Sequence, residues 1–199
     1  MPRFRGAYIY GSFKKGRVPR RRLVKLDPGN TDHRVGEWYP TLDLVEGAVS
    51  AAERAFGAWS SLAPKQRHRF LKNLKGIYRK QRKVLAEIIS MEMGKTLKES
   101  TAEVEASIAK VDTTLKEGLD LIASTRKKDP QRYYRFMPRG PLVVLGPFNF
   151  PLHLPNGNFI AALATGNTLV FKPSELTPFT GQKIAECFHE AGFPPGVFN

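Results

Sequence analysis

Residues 142–175, LVVLGPFNFPLHLPNGNFIAALATGNTLVFKPSE, carry the pattern that decides the fold. Leu142, Val143, Val144 and Leu145 form a short apolar, β-branched run, which predicts a buried strand. Gly146-Pro147 breaks it, and from Pro155 an apolar stretch long enough for a helix runs to the stop at Gly166-Asn167. Residues 168–171 then predict a second strand. Strand, loop, helix, strand is a βαβ unit with parallel strands. Ligands of such units sit beyond the carboxyl ends of the strands. Asn149 after the first strand and Lys172 with Glu175 after the second are therefore expected to face one crevice.

Downstream, Thr177-Pro178 opens a helix to about residue 191, Gly192 stops it, and Pro194-Pro195-Gly196 leads into Val197-Phe198, the start of another strand. Upstream, Leu97, Thr101, Val104, Ile108, Val111, Leu115, Gly118 and Ile122 recur in steps of four and three. That spacing suits either a coiled-coil seam or a core-packed helix; Thr101 and Gly118 weaken a seam and favour the core. Residues 127–131 read as a charged linker, and residues 133–137 as a short edge strand flanked by arginines.

Nearer the amino terminus, residues 7–39 are short alternating runs broken by Gly16, Pro19, Pro28-Gly29 and Gly36, a pattern of edge strands or hairpins. Asp43 and Glu46 mark a helix start, Val45, Val49, Ala52 and Phe56 fall on one face, and Gly57 is the expected end. Pro64 opens a second helix with Phe70, Leu71, Leu74, Ile77 and Tyr78 as its apolar stripe. Its remaining faces carry many cations, Arg67 and Lys72 among them. The aromatics lie on the apolar side rather than among these cations, so a solvated surface is expected there rather than a nucleic-acid face. A third helix, residues 84–93, ends at Gly94. Gly94-Lys95-Thr96 has the look of a phosphate-binding loop's tail, but Ile89 stands where that loop needs glycine.

The 199 residues, 41% apolar, suffice for one good core or two small ones. A net charge of +14 favours anionic partners, whether nucleic acid, membrane surface or acidic metabolite, without choosing among them. Cys187 is the single cysteine, so no intramolecular disulfide forms; a reducing, cytoplasmic location is expected. The Arg-rich start superficially suits a mitochondrial leader, yet Tyr8, Gly11, Gly16 and Pro19 suit a strand and turns better. No secretory signal or membrane-spanning apolar run is visible, and His and Asp are scattered without metal-ligand spacing.

Three motifs stand together: GPFNFP at 146–151, followed by His153-Leu154-Pro155-Asn156-Gly157; FKPSELTP at 171–178; and Gly94-Lys95 after Met91-Glu92-Met93. In order and spacing they resemble the aldehyde dehydrogenase superfamily, and the loop is similar to its succinylglutamate-semialdehyde dehydrogenase branch. The resemblance covers nearly the whole chain but less than half of a complete enzyme. It implies an α/β fold, helices around an incomplete parallel Rossmann-like sheet. Residues 1–125 would begin the cofactor-binding domain, 126–139 would be a linker and oligomerisation strand, and 140–199 would start the NAD-binding βαβ unit. The catalytic domain would be absent.

The implied reaction oxidises a small acidic semialdehyde to the carboxylate, as in arginine catabolism, through a cysteine adduct that yields hydride to NAD. Asn149 would be the neutral amide donor to the adduct's oxyanion. Pro147 and Phe148 would line the cofactor with backbone atoms, and Lys172 and Glu175 would hold the adenine ribose, a carboxylate there preferring NAD to NADP. Without the family, Asn149 reads as a loop-satisfying amide and Lys172 with Glu175 as a surface pair. Cys187 shares a helical face with Ile184 and Phe188 and reads as a core thiol, not the nucleophile. His153 reads as structural, and Asn158 replaces the branch's second loop histidine. Homo-oligomerisation is implied for the complete enzyme. The isolated chain is expected to be inactive, with an exposed apolar edge at Phe198. The alternative is a non-catalytic basic protein that binds nucleic acid or a full-length homologue.

Overall fold

The computed structural model describes residues 3–19, 22–122 and 136–199. Two antiparallel hairpins come first. β1 (Ala7–Ile9) pairs with β2 (Ser12–Lys14) through Tyr10 and Gly11, both at positive φ, and β3 (Leu23–Asp27) pairs with β4 (Asn30–Trp38). In the second turn Asp27 Oδ1 accepts the Gly29 N–H at 2.8 Å, an aspartate holding its own turn.

After a 3₁₀ turn at Leu42–Leu44, α1 (Val45–Ser61) runs straight through Gly57, contrary to the expected stop. The Gly57 carbonyl accepts the hydroxyls of Ser60 and Ser61, and the chain turns extended only at Leu62, just before Pro64. The buried face also differs from expectation. Ala48, Ala51, Ala52 and Trp59 face inward while Val45 is exposed. Alanines let the helix backbone approach β6 (Thr168–Lys172) closely enough for Thr168 Oγ1 to donate to the Ala52 carbonyl at 2.9 Å.

α2 (Pro64–Lys80) buries Leu71, Leu74 and Tyr78 as its pattern predicts. Arg67, expected on a solvated face, is instead buried. Its guanidinium donates to the carbonyls of Ala164, Ser60 and Leu62, tying the ends of two other helices to α2. α3 (Arg82–Met93) ends at Gly94 in the left-handed region, φ 68°. α4 (Leu97–Thr113) starts in a reciprocal cap between Thr96 and Glu99 and continues as a π turn, Thr114–Gly118, and a 3₁₀ turn, Asp120–Ile122. Val104, Ile108 and Val111 are core, as the core-packed reading expects, whereas Leu97 is exposed. The linker at 127–131 and residues 133–135 of the proposed oligomerisation strand lie outside the described residues; Phe136 and Met137 are exposed and not in a strand.

The βαβ unit forms where expected. β5 (Pro141–Leu145) and β6 pair parallel, in register from Pro141 opposite Thr168 to Leu145 opposite Lys172, with α5 (His153–Ala164) crossing between them. α6 (Pro178–Glu190) follows, and the chain returns along β6's other edge, where Leu169 and Phe171 exchange backbone hydrogen bonds with Val197 and Asn199. Two expectations are corrected here. Among the described residues β5 pairs only with β6, and of its side chains only Val144 is buried; Val143 is 59% and Leu145 72% exposed. Phe198 is not an exposed edge but buried, stacked on Phe188 with ring centroids 3.8 Å apart. Among the described residues no helix is long and apolar enough to cross a membrane.

One further buried group ties α3 to α6. Glu92, fully buried, accepts the Phe179 N–H at 2.8 Å and the N–H and hydroxyl of Thr180 at 2.7 and 2.6 Å, at the positive end of α6. Burial nevertheless outweighs these bonds and the nearby Lys25 ammonium, and pushes the carboxyl pKa up to about 7. A raised pKa means the fold favours the protonated acid. Its stabilisation is complete below about 4.5, the unfolded value, and declines as pH rises through about 7.

Two measurements test these assignments. Arg67→Met should cost about 2–3 kcal/mol in urea unfolding, while Lys72→Met, at an exposed site on the same helix, should stay within about 0.5 kcal/mol. Raising pH from 5 to 8 should lower the Tm of the native sequence more than that of Glu92→Gln; parallel pH curves would refute the Glu92 assignment.

Candidate functional site

β5 and β6 end level. Beyond their last pair, Gly146 N–H still donates to the Lys172 carbonyl at 2.9 Å, so the two following loops leave the sheet side by side. Gly146 is required at this point, because a Cβ there would come within 2.7 Å of the Phe171 ring.

At the end of β6, Lys172 Nζ lies 3.4 Å from Glu175 Oε2, and both side chains are mostly exposed. The Glu175 carboxylate is held below its ordinary range by its own backbone N–H and then by Lys172, so it stays ionised well below neutrality. Together they sit at a largely apolar cavity of about 520 Å³, whose wall includes Val143, Leu145 and Val170 from the sheet and Val45 and Ala48 from α1. Its size suits a cofactor-sized or drug-sized ligand.

The loop after β5 is organised differently. Asn149 is exposed, and its Oδ1 accepts the Phe150 N–H at 3.1 Å. Phe148 is exposed as well, and Pro147 is half-buried. None of these three lines the 520 Å³ cavity. The single crevice expected to join Asn149 with Lys172 and Glu175 is therefore not formed as one cavity: the strand ends bring the loops together, but the asparagine oxygen is turned to its own backbone.

This loop is held from behind by Glu103, which the sequence alone did not single out. Glu103, on α4, has a completely buried side chain. Its Oε1 accepts the N–H groups of Leu152 and His153 at 3.0 and 3.2 Å, the free donors at the start of α5. Its Oε2 accepts from Lys95 Nζ at 2.8 Å, and the same ammonium lies 3.8 Å from the centre of the Phe150 ring. One turn on, Asn156 is pinned by Ser107 and Tyr78, its Nδ2 donating to the Ser107 carbonyl at 3.0 Å and its Oδ1 accepting from the Tyr78 hydroxyl at 3.3 Å. A signal was present: Ser100, Glu103 and Ser107 recur at helical spacing on the buried side of α4.

His153 is half-buried, and its Nδ1 has no hydrogen-bond partner among the described residues. Cys187 is buried, and burial pushes its thiol up to about 12, which leaves it essentially unionised at neutral pH and unfit as a nucleophile. The core reading of this residue stands.

Removing the Glu103 carboxylate should loosen the loop before it unfolds the chain. In Glu103→Gln the amides of Leu152 and His153 should exchange at least about tenfold faster, with a stability loss of about 1.5–3 kcal/mol. Unchanged exchange at these two amides would show that the loop is held by other contacts.

With this geometry in hand, comparison with known proteins is informative. Residues 20–199 match the aldehyde dehydrogenase family. N-succinylglutamate 5-semialdehyde dehydrogenase of Novosphingobium aromaticivorans is 42% identical over 164 residues, 80% of this chain and 35% of that protein. The Legionella pneumophila protein of the same name is 36% identical over 200 residues, 98% of this chain and 39% of its own length. Thus the chain spans between a third and two-fifths of these relatives. Among solved structures, 1-pyrroline-5-carboxylate dehydrogenase from Thermus, crystallised with bound NAD, superposes with a TM-score of 0.86 at 31% identity, over 96% of this chain and 38% of that one. Motifs, sheet topology and the match across almost every residue agree, and the chain belongs to the aldehyde dehydrogenase family.

Proposed function

We propose that the chain is the cofactor-side portion of an NAD-dependent dehydrogenase that oxidises a small acidic semialdehyde, of the succinylglutamate-semialdehyde kind met in arginine catabolism, to its carboxylate. The observation that carries this reading is the Lys172–Glu175 pair, 3.4 Å apart at the carboxyl end of β6 and beside the loop that bears Asn149. The names of the relatives support the substrate class, and the Thermus neighbour's bound NAD supports the cofactor.

In this reading Glu175 accepts hydrogen bonds from the adenine ribose hydroxyls and Lys172 donates to the same sugar. An ionised carboxylate there repels a 2′-phosphate, so NAD is preferred to NADP. Pro147 and Phe148 offer backbone and ring surface to the cofactor, whose part when bound is to accept hydride. Asn149 supplies an amide N–H to the oxygen that becomes negative during reaction, once its side chain leaves the Phe150 N–H. Burial and the high pKa keep Cys187 out of the chemistry. Residues 1–125 and 140–199 then belong to the cofactor domain, residues 126–139 join copies of the enzyme to one another, and aldehyde turnover needs residues beyond these 199.

Titration calorimetry with NAD and NADP tests the assignment. The chain should bind NAD at least about tenfold more tightly, and Glu175→Gln should remove the preference. Equal affinities for the two in the native sequence would overturn it. The 199-residue chain should also give no NADH from succinylglutamate semialdehyde and NAD; thiol-dependent turnover would refute the role given to Cys187.

A further inference from the structure

A second concavity, independent of the reading above, lies between the first residues of the chain, β2, α3 and α6. This cleft, of about 640 Å³, adjoins the first cavity along Phe4 and Phe13 but includes none of Asn149, Lys172 or Glu175. Its floor is apolar, made by Phe4, Phe13, Ile88 and Phe179, and its rim carries four cations: Arg3, Arg5, Lys15 and Lys183. The one carboxylate on the rim, Glu186, is already shared by Arg5 at 3.7 Å and Lys183 at 3.4 Å. Arg3 and Lys15 have no carboxylate partner among the described residues.

The rim is also fixed in place. Gln182 on α6 clamps the strand-like start of the chain from both sides, accepting the Arg5 N–H at 2.7 Å and donating to the Arg3 carbonyl at 2.9 Å. Arg5 Cζ lies over the Phe13 ring, 3.9 Å from its centre, so its guanidinium is held in place without a ligand. A concave apolar floor whose rim sets four cations against a single carboxylate fits a small molecule with an apolar, preferably aromatic, body and an anionic head. A polyanion such as nucleic acid would need the charge spread along an open groove instead.

We propose that this cleft binds a small amphipathic anion, an aromatic or short acyl group bearing a phosphate or carboxylate, at a site separate from the dehydrogenase crevice. The probe is 1-naphthyl phosphate, titrated into the ¹⁵N-labelled 199-residue chain at low salt. Amide shifts should cluster at Phe4, Lys15, Ile88 and Lys183. Inorganic phosphate and neutral 1-naphthol should each bind at least about tenfold more weakly, because each lacks one half of the match. Arg3→Glu with Lys15→Glu should weaken the probe by about tenfold or more while leaving Tm unchanged, both side chains being exposed. Shifts centred on Val143 and Lys172, equal binding of naphthol, displacement by NAD, or displacement by a single-stranded oligonucleotide at lower concentration would each overturn the proposal.

Discussion

The described structure depends on β6 being paired along both edges. β5 takes one side in parallel register, and the backbone of residues 197–199 takes the other. With both ladders used, the strand's own backbone groups are satisfied and its side chains can be buried. Leu169 is wholly inaccessible, and Phe171 meets the ring cluster of Phe159, Phe188 and Phe198. That cluster carries α5 and α6, and through Tyr78 and Arg67 it carries α2 as well. Level strand ends follow from the same register, and with them the juxtaposition of the Asn149 loop and the Lys172–Glu175 pair.

Much of this was legible because the strongest signals are local. A β-branched run, a Gly-Pro break and a second β-branched run are enough to write β5, α5 and β6 within a residue or two, and Gly94 announces the end of α3 by its left-handed conformation. The misses are of another kind. Whether a strand is buried depends on what lies over its faces, and β5 looks buried in sequence but has only Val144 covered. Gly57 lies in the helix because an exposed glycine costs only about 1 kcal/mol there, less than the packing of the turns around it supplies. Arg67 looks like one cation among many; its burial is set by the carbonyl of Ala164, far along the chain, acting with those of Ser60 and Leu62 just before α2, a combination that no spacing records.

The candidate site divides in the same way. Lys172 and Glu175 are three apart after a strand, and such short-range pairs survive folding almost unchanged. The direction of Asn149 is a rotamer choice settled by the nearest free N–H, which the sequence does not rank. The supports behind it, Lys95 and Glu103, act on residues about fifty positions away. Net charge is more informative as a distribution: some cations are paired across helices, Lys80 with Glu190 and Arg82 with Glu105, and four gather on a single rim.

Glu92 and Glu103 have a consequence for how any dinucleotide could be gripped. In many parallel α/β proteins the exposed N–H groups at a helix start receive a phosphate. Here the starts of both α5 and α6 are already filled from behind by the protein's own carboxylates. The fold has, in effect, supplied internal substitutes for the anion, so a pyrophosphate arriving at these helices would meet donors that are already occupied.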